Sequence, residues 1–130
     1  MSRAQREVLI VEDDLPLQRL LAAIVVRNGL VPRVAGDGRT ALALLTETQF
    51  DAVVLDLMLP IVNGFDVLRH LSVENPDLMG RTIVITAAEE REYRNSTHVR
   101  SARALLRKPF DVAHLQAEML ACCEGAKTAH

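Results

Sequence analysis

Three stretches of the chain carry apolar residues without a break: "EVLIVE" (7–12), "FDAVVLD" (50–56) and "RTIVIT" (81–86). Short runs rich in valine, isoleucine and leucine read as strands buried on both faces, which is the habit of a parallel sheet. Two weaker runs, "LVPRVA" (30–35) and "ALLRK" (104–108), complete a set of five strands. Pro32 cannot donate to a ladder and places the second strand at an edge. Between the strands the spacing changes to that of helices. Leu17, Leu20, Leu21 and Ile24 fall at i, i+3, i+4 and i+7, with Pro16 in the first turn and Gly29 past the last. Asp37 caps a helix with Ala41, Leu44, Leu45 and Thr48 on one face, and a third helix carries Phe65, Leu68 and Leu71. After Pro109, Asp111 caps a last helix with Val112, Leu115, Met119 and Cys122 inward. Five strand–helix units joined by short connections predict an α/β fold: a doubly wound parallel sheet, right-handed crossovers, and five helices on its two faces.

One unit is thin. Between Thr86 and Leu105 only Tyr93 and Val99 are sizeable apolar anchors. A helix is expected there from the alternation, weakly supported by a Glu90–Arg94 pair at i, i+4. The expected domain spans residues 7–123, with tails at 1–6 and 124–130.

Composition narrows the function. At 130 residues the chain is one domain, and its 49% hydrophobic and 25% charged content is that of a globular protein. A net charge of −2, with no Trp and one Tyr, supplies neither a basic footprint nor stacking platforms for nucleic acid. No apolar run is long enough for a membrane span and the N-terminus lacks an export signal, so a cytoplasmic protein without membrane partners is expected. Cys122 and Cys123 are neighbours that point apart on a helix; one is expected in the core and the other to be incidental. The four histidines have no ligand spacing.

The chemistry gathers at strand ends. In a parallel sheet all carboxyl ends lie at one edge, where such folds keep their sites. There stand Glu12, Asp13 and Asp14 after the first strand, Asp56 ending the third, Thr86 the fourth and Lys108 the fifth. Clustered carboxylates repel one another unless a cation intervenes, and hard oxygens without His or Cys favour Mg²⁺. An aspartate so placed can attack phosphorus to give an aspartyl phosphate, while a lysine and a hydroxyl neutralise the equatorial oxygens. Phosphatases of the haloacid-dehalogenase type use such an aspartate but need a second one two residues later. Here that position is Met58.

"VLIVEDD", "DLMLP…NG", "VITA" and "KPF", in this order and spacing, resemble the receiver domain of two-component response regulators, over residues 7–123. The resemblance implies a flavodoxin-like fold with strand order 2-1-3-4-5 and Mg²⁺-dependent signalling in a phosphorelay. Asp56 is then the phosphoacceptor, Thr86 the switch hydroxyl and Lys108 the phosphate-binding lysine, with Ala87 beside the phosphoryl pocket. Asp13 ligates Mg²⁺ directly, Glu12 through water, Asp56 by its carboxylate and Met58 by its backbone carbonyl. Asp14 falls one place beyond the acidic pair and reads as a helix cap. A cis bond between Lys108 and Pro109 is implied too. Such a domain is an acceptor and not an enzyme. Its partners are a histidine kinase or phosphotransfer protein and an unidentified downstream protein. The alternatives are a scaffold that works without phosphorylation, or a receiver excised from a longer regulator. Four departures stand out: Ile61 where the family commonly has glycine, Asn63 for aspartate, Ser101 and Arg103 in place of small residues, and Leu105 where an aromatic usually swings.

Overall fold

The computed structural model describes residues 5–128. Five strands, β1 (Glu7–Val11), β2 (Val31–Ala35), β3 (Ala52–Asp56), β4 (Thr82–Thr86) and β5 (Ala104–Arg107), form one parallel sheet in the order β2-β1-β3-β4-β5. The order expected from the resemblance is found, and β2 with its proline is at an edge. β3 and β4 are buried at every position, as unbroken apolar runs require.

Each face of the sheet has its own core, because successive strand residues point to opposite sides. Val8, Ile10, Val54, Ile83 and Ile85 face α1 (Leu15–Arg27) and α7 (Val112–Thr128). Leu9, Val11, Val53, Leu55 and Val84 face α2 (Gly38–Glu47), α3 (Gly64–Glu74) and the short helices described next.

There are seven helices and not five. Asn75 accepts from the Leu78 amide and Pro76 opens a four-residue α4 (Pro76–Met79), whose Leu78 and Met79 are buried. The thin unit is broken in two: α5 (Glu90–Tyr93) and α6 (Thr97–Ser101), each about one turn. The break has a local cause. Glu89 and Glu92 close a capping box over α5, and the Ser96 hydroxyl caps α6 through the Val99 amide, so each turn has its own start. Tyr93 and Val99 are the anchors, as expected. Glu90 and Arg94 meet only through their backbones (2.8 Å), and the side-chain ion pair is Arg91–Glu89 at 3.0 Å.

Three smaller expectations change. Leu20 is exposed, and Val25 joins Leu21 and Ile24 in the core, so the buried stripe of α1 is rotated from the one read off the spacing. Cys122 and Cys123 are both buried, not one. Burial pushes the Cys123 thiol up to about 11. Helix α7 continues to Thr128 and takes in most of the segment expected as a tail; positions 1–4 and 129–130 of the two expected tails lie outside the described residues.

Candidate functional site

The register of the sheet sets Asp56 beside Ile85, and Thr86 beside Arg107, so β3, β4 and β5 end together. The β1 end joins them through the Glu12 amide, which donates to the Ala35 carbonyl at 3.0 Å. Glu12, Asp13, Asp56, Thr86 and Lys108 are thereby brought to one crevice.

Its centre is an ammonium held between two carboxylates. Lys108 Nζ donates to Glu12 Oε1 and to Asp56 Oδ2, each at 2.9 Å. The other oxygen of each acid accepts from a backbone amide: Asp56 Oδ1 from Met58 (3.0 Å) and Glu12 Oε2 from Asp14 (3.0 Å). Glu12 is 1% and Asp56 3% exposed, so both charges are taken from water, and four short bonds compensate them. Burial pushes Glu12 above the ordinary glutamate value; its bonds to Lys108 and the Asp14 amide pull it back, and the Asp56 charge raises it again. Burial would lower Lys108, but its bonds to Glu12 and Asp56, and their charges, outweigh that and hold the ammonium above its usual range.

Asp13 is exposed at the mouth. One ligand oxygen each from Glu12, Asp13 and Asp56 lies within 4.8 Å of the others, the only such cluster of three among the described residues. All three donors are hard oxygens in an open, solvent-facing arrangement, which fits Mg²⁺ with retained waters. Asp14 accepts from the Leu17 amide at 3.0 Å and is the cap of α1. The Gln18 side chain, which the sequence did not single out, donates to the Glu12 carbonyl at 2.6 Å and ties α1 to the acidic pair.

The loop after Asp56 is pinched at Gly64. A Cβ there would overlap the Asp56 carbonyl and the Leu57 backbone, so only glycine allows this approach. The Gly64 amide donates to Leu57 O at 2.9 Å. Asn63 accepts from the Asp66 amide and caps α3, a task in which asparagine and aspartate are equivalent. Ile61 is at φ 68°. That is the left-handed region, which explains why glycine suits the position and makes isoleucine notable. Thr86 is wholly buried, and its Oγ1 accepts from the Ala88 amide at 2.9 Å. Ala87 is exposed next to it, and the Lys108–Pro109 bond is cis. A cleft of about 560 Å³ opens above Asp56, lined by Asp13, Met58, Asn63, Phe65 and Glu92 among others. Phe65 and Glu92 were not foreseen as lining it.

A parallel five-stranded sheet with an acidic pair, a terminal aspartate, a hydroxyl and a lysine at its carboxyl edge defines a class of signalling domain. The chain belongs to the response regulator receiver domain family, whose model matches residues 8–120. It is 36% identical over 114 residues to response regulator MprA of Mycolicibacterium vanbaalenii, covering 88% of this chain and 48% of that protein. To the phosphate regulon transcriptional regulatory protein PhoB of Escherichia coli it is 31% identical over 116 residues, covering 89% and 51%. The chain thus spans about half the length of these curated relatives. Among solved structures, the receiver domain of Francisella response regulator 1452 is 25% identical with a TM-score of 0.82, covering 93% of this chain and 98% of that one. No helix among the described residues is long and apolar enough to cross a membrane.

Proposed function

We propose that Asp56 accepts a phosphoryl group from the phosphohistidine of a histidine kinase or phosphotransfer protein, and that the loaded domain signals by binding another protein. The observation that carries this is the state of the Asp56 carboxylate: nearly buried, yet ionised and positioned by Lys108 and the Met58 amide, with its open side toward Asp13. A carboxylate oxygen of Asp56 attacks phosphorus. The new O–P bond forms as the histidine N–P bond breaks, and the electron pair returns to the imidazole nitrogen, which is protonated from solvent. Lys108, already at Asp56, follows the charge onto the phosphoryl oxygens, and the Thr86 hydroxyl is free to donate to one of them. Glu12, Asp13, Asp56 and the Met58 carbonyl would hold Mg²⁺, which when bound neutralises charge on the acceptor and the transferred group. Ala87, small and exposed, leaves room for that group. The domain acts as acceptor in this scheme and turns over no separate substrate. With net charge −2 it has no general attraction for nucleic acid, which favours a protein as the receiver of the signal, in the cytoplasm where kinases present phosphohistidine.

The test is incubation with phosphoramidate and Mg²⁺, read by intact mass. Wild type gains one phosphoryl group and Asp56→Asn gains none. A wild type that gains nothing points to the phosphorylation-independent scaffold.

A further inference from the structure

Ile61 is a β-branched residue in the left-handed region at φ 68°, and its side chain is 68% exposed. Both facts are unfavourable. A β-branched side chain at positive φ is strained, and an exposed one gains no burial in return. Glycine or asparagine would take the conformation at lower cost. Nothing inside the molecule rewards isoleucine here.

The loop also holds it rigidly. At one end Gly64 admits the Asp56 carbonyl. Beside it the Val62 backbone is pressed so closely against the start of α2 that a Cβ on Gly38 would overlap the Val62 carbonyl. Between these two close approaches Ile61 is presented outward in a fixed pose. It is not alone. Seven large apolar side chains are exposed among the described residues, and three of them, Leu15 (60%), Met58 (53%) and Ile61, stand on the two loops that follow the acidic pair and Asp56.

We propose that these three form the rim on which the phosphohistidine-bearing protein seats, and that Ile61 determines which such protein is accepted. The inference rests on the phosphoacceptor reading of Asp56. A small phosphodonor needs only the crevice. A protein donor must lay a surface over the carboxyl edge to bring its imidazole to Asp56, and that surface necessarily meets residues beside both loops. An apolar, pre-positioned anchor there loses little freedom on binding and keeps water from the transfer. The strain at residue 61 therefore serves the encounter with the donor, not the fold.

The experiment compares two donors on the same variants: phosphoramidate, and the soluble core of a histidine kinase autophosphorylated with ATP and found in a genome-wide panel to phosphorylate wild type. Ile61→Gly and Ile61→Asn are expected to melt no lower than wild type and to load from phosphoramidate at its rate. Their kcat/KM from the kinase should fall about tenfold, as loss of a central interface anchor does. Ile61→Leu, still apolar, should recover most of it, and Leu15→Ala should show a smaller loss of the same kind. Equal rates from the kinase in Ile61→Gly and wild type overturn the proposal, as does a loss shared by both donors, which would mean that the loop only shapes the crevice. If the variants transfer normally but change self-association or target binding, the rim serves another partner and the donor assignment is wrong. A wild type that loads from phosphoramidate but from no kinase in the panel also overturns it. A wild type that loads from neither fails the phosphoacceptor reading itself.

Discussion

The crevice at the ends of β1, β3 and β5 and the segment from Glu89 to Ser101 are neighbours built on opposite principles. In the crevice every polar group is committed: two buried carboxylates share one ammonium and each takes a backbone amide besides. The segment has two single turns, two apolar anchors and a rim of exposed Glu and Arg. The first is over-determined and resists change until its charge changes. The second is held by little and yields readily. A signalling domain gains from having both side by side, since a stiff site fixes where the input acts and a soft one supplies something that can respond.

The contrast can be broken most completely at Asp56. Asp56→Asn keeps the shape but not the nucleophile, and phosphoryl uptake from phosphoramidate should vanish with the fold retained by circular dichroism; residual Mg²⁺-dependent uptake would move the acceptor elsewhere. The next largest effect is in hydrogen exchange. Amides of residues 89–101 should exchange at least about a hundredfold faster than those of β3 and β4, and slow when Asp56 carries a phosphoryl mimic. Strong, equal protection in both states would abolish the distinction between the regions.

Mg²⁺ should sharpen the difference by stabilising only the crevice, by about 2.7 kcal/mol at a hundredfold excess over Kd. Asp13→Asn should lose most of that in a thermal melt. The gain should shrink in acid, because Glu12 holds its proton to a higher pH than the 4.5 of a free glutamate and the proton competes with the cation. Without metal the sign for Glu12 itself is opposite. Its raised value makes burial costly at neutral pH, and that cost disappears as pH falls through the folded value. Lys108 contributes fully below 10.5 and loses its contribution as pH rises through its higher folded value.

The smallest effect concerns the lifetime of the aspartyl phosphate. The residues two beyond Asp56 and two beyond Thr86 are Met58 and Ala88, neither able to orient an attacking water. Met58→Asn, at an exposed position, should shorten the lifetime several-fold, followed by phosphate release. Ala88 is buried, so a glutamate there would disturb the fold before it aided hydrolysis.

Much of this was legible along the chain because the strands are unbroken β-branched runs and each ends in a residue with chemistry. Register in a parallel sheet then does the rest, aligning Asp56, Thr86 and Lys108 without further information. The break between α5 and α6 was not read, although its signals are present: Ser96 is a cap in the middle of an expected helix, and Glu89 with Glu92 closes a capping box. The short α4 likewise hides in the Asn75–Pro76 pair. The exposed Leu20 was missed because a spacing of i, i+3, i+4 fixes a stripe only to within one residue, and packing on β2 rotated it toward Val25. The second buried cysteine follows from α7 lying flat on a sheet that covers two of its flanks. For the site, the two-sided grip of Lys108 on Glu12 and Asp56 could not be inferred from residue types, since it depends on distances between strands.

Thr86 already spends one lone pair on the amide of Ala88, but a hydroxyl carries a proton as well, and that proton is not consumed by this bond. Drawing the oxygen toward a new acceptor at Asp56 therefore need not break the link; it can drag Ala88, and with it the entry to α5, by one bond's length of slack. The threonine is in this sense a tether and not a latch. Serine would transmit the same pull, whereas valine, equal in bulk, would leave the two ends of the domain mechanically disconnected.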